Sequence, residues 1–155
     1  MERQIDNMQK YENYKEQMGR MKKALKERFY LEAISIEYAI VEDRIESVLR
    51  HSGMYNPDKH NMLNKKLNKL SEMHRIKDGL ERRYFSDEMI EEIHSRKNER
   101  NPMTHALLNL KLHTGDLENI AVRGEALVKK VNSRTALYNR ALEKQIAKQE
   151  ASTHV

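Results

Sequence analysis

Apolar residues recur along nearly the whole chain at steps of three, four and seven, the spacing that lines one side of an α-helix. From about residue 3 to residue 50 the pattern predicts one long helix. Its early part is sparse, with Ile5, Met8, Tyr11, Met18, Met21 and Leu25 near one face, and Gly19 marks a break or bend. From Phe29 the apolar content rises. Phe29, Ala33, Ile36 and Ile40 form one stripe, and Ile34, Tyr38, Val41, Ile45 and Val48 form its neighbour. Two adjoining stripes make a broad face that packs on several partners. His51-Ser52-Gly53 ends the segment, with Gly53 suited to the left-handed residue after a helix, and Asn56-Pro57-Asp58 makes a turn.

A second helix is predicted from about Lys59 to Leu80, on Leu63, Leu67 and Leu70, with Met73, Ile76 and Leu80 continuing the pattern. A short third helix starts at Ser86, an N-cap residue, with Asp87 and Glu88 where the helix dipole favours anions. Met89, Ile90 and Ile93 are its apolar side, and Ser95 to Asn101 reads as a polar connection. A fourth helix starts at Asn101, as cap, and Pro102, whose missing N–H costs nothing at the first helical position. Met103, Leu107 and Leu110 give its buried side, with Leu108 and Leu112 beside them. Gly115-Asp116 reads as a turn, and a long last helix runs from about Leu117 to Lys148 on Ile120, Leu127, Val131, Tyr138 and Leu142. The expected fold is therefore all-α, an up-and-down bundle of four to five helices. One domain spans residues 1–155, with a core at about 25–148 and a frayed tail at 149–155.

Composition narrows the chemistry. There is no Cys, which excludes disulfides, Cys-ligated metal and a thiol nucleophile. Five Gly and two Pro argue against an all-β chain. The formal charge of +5 is compatible with an acidic partner, although positive and negative residues are mixed. Eight Lys/Arg stand against three acids from Lys59 to Arg83, and seven against two from Arg123 to Lys148, so either stretch could track an RNA backbone. Trp is absent and Phe occurs twice, so there is little to stack on bases. No apolar run approaches the ~18 residues of a membrane span. The polar start Met1-Glu2-Arg3-Gln4 lacks a signal-peptide core, which predicts a cytoplasmic location.

The segment Arg100-Asn101-Pro102-Met103-Thr104-His105 carries the sharpest candidate chemistry. At a helix start, free N–H groups and the positive dipole end suit a phosphate, and an arginine fork grips its oxygens. The same dipole favours a neutral His105, the state a general base needs. With 13 Arg and 7 His, chance alone yields about 0.6 matches to Arg-x4-His, and requiring Asn after the Arg lowers this to about 0.05. Arg44-x6-His51 is a looser pair in mid-helix with no assigned role. Glu32, Glu37, Glu42 and Asp43 are acids that could face the site. Glu37 stands among Ile36, Tyr38, Ala39 and Ile40, where a carboxylate could orient Arg100; a solvated helix edge is the plainer alternative. Glu91-x-x-His94 occurs once, whereas a carboxylate di-iron bundle needs two copies, and no metal or other cofactor is expected. His51, His60, His74, His113 and His154 lack ligand-like spacing, and there is no Gly-rich phosphate loop or G-x-S-x-G elbow.

Arg100-Asn101-x3-His105, following the long helix with Leu31-Glu32-Ala33-Ile34-Ser35-Ile36-Glu37-Tyr38-Ala39, resembles the HEPN domains. The resemblance covers helix order from about Phe29 to Leu142, and its specific part is six residues. It implies a HEPN-type bundle acting as a metal-independent endoribonuclease, of the toxin or antiphage kind, in a homodimer whose two motifs share one cleft. It implies Arg100 and His105 as the catalytic pair, Asn101 in support, RNA as substrate, and a cognate antitoxin as a further partner. Some toxins of the family carry a modified Tyr two residues after the His; here Leu107 stands there, which puts that route of regulation in doubt. The alternatives are a noncatalytic helical module that binds nucleotide, RNA or protein, and a purely structural helical dimer.

Overall fold

The computed structural model describes residues 7–108 and 114–153, with backbone alone for residues 7, 100–108 and 114. Among the described residues, six helices form an all-α bundle and no strand occurs. They are α1 Asn7–Lys26, α2 Tyr30–His51, α3 Leu63–His74, α4 Leu80–Tyr84, α5 Asp87–Leu108 and α6 Thr114–Thr153.

The expected first helix is two helices. Arg28 adopts φ 63° between them. The Phe29 N–H reaches the Ala24 carbonyl at 2.8 Å and the Arg28 N–H reaches that of Leu25 at 3.2 Å. This pair of bonds closes a helix C-terminus through one left-handed residue. The same closure recurs after α2, where Gly53 has φ 74°. There the Met54 N–H bonds the Leu49 carbonyl at 2.9 Å and the Gly53 N–H that of Arg50 at 3.1 Å. The stop at Gly53 was legible because glycine is the usual residue for it; Arg28 carries no such mark. Phe29, expected in the buried stripe, is 57% exposed because it precedes α2 in the connection. Gly19, expected as a break, lies inside α1.

Further along, α3 covers only Leu63–His74 of the expected Lys59–Leu80: a turn precedes it, with the His60 N–H on the Asn56 carbonyl at 2.7 Å, and left-handed Asp78 (φ 63°) lies between it and α4. Ile76 is left exposed outside it. Ser86 caps α5 as expected, accepting from the Met89 N–H at 3.1 Å. The expected polar connection at Ser95–Asn101 is instead helical, and α5 continues through Pro102 to Leu108. The expected third and fourth helices are thus one. Gly115-Asp116, expected as a turn, lies in the first turn of α6, and α6 reaches Thr153, past the expected fraying point. The expected buried positions Met103, Leu107 and Leu108 lie outside the described side chains, and Leu110 and Leu112 outside the described residues.

The core gathers around α2. Ala33, Ile34, Ile45 and Val48 of α2 are buried in one cluster with Met21 and Ala24 of α1, Leu67 and Leu70 of α3, and Ala121, Val128 and Tyr138 of α6. From α5 come Met89, Ile90 and Ile93, with Phe85 just before it. Tyr138 donates to Glu81 Oε1 at 2.8 Å, joining α6 to α4. Buried His74 donates from Nε2 to the Phe85 carbonyl at 2.8 Å, fixing the approach to α5. No helix among the described residues is long and apolar enough to cross a membrane.

Candidate functional site

The most constrained polar group in the described structure lies where α2, α5 and α6 meet. Glu37 of α2 is 2% exposed and Arg96 of α5 is 8% exposed. Arg96 Nη2 donates to Glu37 Oε1 at 2.9 Å, and Nη1 donates to the Ile120 carbonyl of α6 at 2.5 Å. The guanidinium carbon also lies 5.8 Å from the Tyr38 ring centroid, within cation–π reach. The Tyr38 hydroxyl donates in turn to the Arg96 carbonyl. Arg96 therefore bonds three elements with one side chain and its own backbone.

Gly124 makes room for this pair. A Cβ built there falls 2.0 Å from Glu37 Oε1 and 2.1 Å from Arg96 Nη2, so no other residue fits without moving the ion pair. Glu37 Oε2 is buried and finds no hydrogen-bond partner among the described residues. A cavity lined by Glu37, Tyr38, Arg96, Gly124 and apolar neighbours leaves about 10 Å³ for a water centre, the scale of a single water. Burial pushes the Glu37 carboxyl up to about 8; Arg96 pulls it down and Glu125 adds to the rise. Removing Glu37 strands the buried Arg96 charge, typically at a cost of about 3–5 kcal/mol.

Glu37, one of the expected site acids, is thus an ion-paired core residue, and its described partner is Arg96 rather than Arg100. The other candidate acids disperse. Glu32 is exposed, 3.8 Å from Arg20. Asp43 pairs with its neighbour Arg44 at 2.6 Å. Glu42 holds buried Lys66 at 2.9 Å, helped by Glu46 at 3.2 Å.

Arg100, Asn101 and His105 stand on α5, and their side chains lie outside those described. Their backbone setting differs from the expected one: residues 100–105 are in the interior of α5, which begins at Asp87. The N–H groups of an interior turn are committed to the preceding turn, so the expected cradle of free donors is absent here. Arg100 follows Arg96 by four residues, one turn further along the same side of the helix.

Sequence reasoning missed Arg96, Tyr38 and Gly124. Arg96 had a signal, since Met89, Ile93 and Arg96 follow helical spacing straight into the supposed connection. Gly124 had one as well, being an isolated glycine inside a helical pattern. A second cross-helix polar contact joins α3 to α5, where Ser71 Oγ and His94 Nε2 lie 2.9 Å apart. His94, part of the lone Glu91-x-x-His94 pair, is held below the usual imidazole range by burial and by the charges of Lys97 and Arg75. Comparison of the chain with protein-family models, curated proteins and solved structures finds no match.

Proposed function

We propose that the protein is a homodimeric, metal-independent endoribonuclease of the HEPN type, in which Arg100 and His105 act on the RNA phosphate with Asn101 in support. The observation that carries this reading is the sequence Arg100-Asn101-x3-His105 on a helix seated in the core one turn earlier by the Arg96–Glu37 pair. Glu37 then serves as a positioning residue, acting through Arg96 on the register of α5.

Cleavage of RNA through its own 2′-hydroxyl needs a base for that hydroxyl, an acid for the leaving 5′-oxygen, and positive charge on the phosphate. One chain supplies one motif histidine. In a continuous helix the five-residue step from Arg100 to His105 turns through about 140°, so the two positions of one chain do not share a stripe. A two-fold pair of chains supplies two arginines and two histidines to one cleft, which answers both deficits.

The test is to incubate total RNA with the protein and with Arg100→Ala/His105→Ala, in chelator. The expected outcome is fragments ending in 2′,3′-cyclic phosphate, with the rate in the variant lower by about 10²-fold or more. Equal degradation by both proteins, or cleavage that needs added metal, overturns the reading. A monomer in sedimentation at micromolar concentration overturns the shared cleft. The interior position of the motif in α5 favours a second reading, a noncatalytic module that binds nucleotide, RNA or protein; absence of degradation by either protein selects it.

A further inference from the structure

The seam between α3 and α5 concentrates unpaired positive charge. Ser71 meets His94 at 2.9 Å, and Lys97 Nζ donates to Asn64 Oδ1 at 2.7 Å. The partner number falls along α3 as it rises along α5, so the two helices run antiparallel. Arg75, exposed at the end of α3, and Lys97, half-buried, bracket the Ser71–His94 contact. Neither forms an ion pair with a carboxylate of the described residues. Glu72, the acid of α3, is engaged by Lys69 at 3.5 Å. Glu91, one turn before His94, is exposed and lies within ion-pair distance of neither cation. Burial opposes a charge on the His94 ring, and the nearby charges of Lys97 and Arg75 add to this. The seam is about 16 Å long from Asn64 to Arg75, at 1.5 Å per residue.

The seam also has a direction. Asn101 and His105 follow His94 by seven and eleven residues, the spacing that keeps one stripe of a helix. We propose that the α3–α5 seam, through Arg75, Ser71, His94 and Lys97, binds the phosphate backbone of single-stranded RNA and leads the strand to His105. The assignment rests on the ribonuclease reading for its destination. The cations neutralise phosphates, and Ser71 and neutral His94 offer hydrogen bonds that add no sequence preference.

Binding is measured by fluorescence anisotropy with a short 2′-O-methyl oligouridine, which lacks the hydroxyl needed for cleavage. The result is thus independent of whether the protein is a nuclease. Each phosphate neutralised on a single strand contributes about 0.7 to the slope of log affinity against log salt. Arg75→Gln/Lys97→Gln is expected to lower that slope by about 1.4, so affinity falls about sevenfold less between about 50 and 200 mM salt. Lys22→Gln/Lys23→Gln, the same charge change on the exposed side of α1, is expected to keep the wild-type slope. The proposal is overturned by an unchanged slope in the seam variant, by an equal loss in the α1 variant, or by no binding of the wild-type protein at the lowest salt.

Discussion

Single residues decide where this chain turns. Arg28 takes a left-handed conformation that costs a non-glycine residue about 1–2 kcal/mol, and it closes α1 with the same two bonds that Gly53 uses to close α2. Arg28 is exposed, so its side chain contributes no packing that would offset this cost. Arg28→Gly is accordingly expected to stabilise the protein by up to about 1 kcal/mol, after the extra entropy of glycine in the unfolded chain is subtracted. Urea denaturation reads the difference, and a loss of stability would contradict the closure described. Gly124 shows the opposite kind of constraint. It is small because the Glu37–Arg96 pair occupies the place of its Cβ.

At the scale of elements, α5 departs most from what its residues suggest. Polar residues from Ser95 onward and Pro102 read as a connection followed by a new helix, yet α5 is continuous from Asp87 to Leu108. A proline inside a helix removes one hydrogen bond and crowds the carbonyl four residues earlier, here that of Asn98. Arg96, bonded to α2 and α6, holds the turn just before this defect. Pro102→Ala is therefore expected to stabilise α5, by up to about 3 kcal/mol. Were Pro102 instead a first helical residue, the substitution would give no such gain. Hydrogen exchange of the amides from Asn98 to Leu108 distinguishes the two. The outcome bears on function, because an interior motif has no free N–H groups for phosphate and must rely on side chains and a second chain.

At the scale of the whole molecule, stability depends on the protonation of one buried carboxyl. Burial raises the Glu37 pKa from 4.5 to about 8, against the pull of Arg96 and with the push of Glu125. A group that holds its proton more tightly when folded contributes stability that is fully present below the unfolded pKa and lost as pH rises through the folded one. This contribution is expected to decline between about pH 4.5 and 8. Glu37→Gln keeps an acceptor for Arg96 but cannot titrate, so its stability is expected to change less over that window. Denaturation midpoints at the two ends of the window test it, and parallel curves for the two proteins would remove Glu37 as the cause.

The helical class, the broad apolar face of α2, the stop at Gly53 and the cap at Ser86 are legible from the order of residues alone. Each depends on a residue's own preference or on spacing within a few turns, so each is written locally. The sequence also held the candidate motif of Arg100, Asn101 and His105, as residue types in order rather than as a geometry. It took the packing of the helices to pair Glu37 with Arg96, 59 residues away, and to require a small Gly124 that admits them. The same packing carried α5 through Pro102 and broke the first helix at Arg28. Those outcomes come from contacts between distant elements, which outweigh local propensities of a few kcal/mol at most and leave only faint marks, such as the helical spacing of Arg96 and the isolated Gly124.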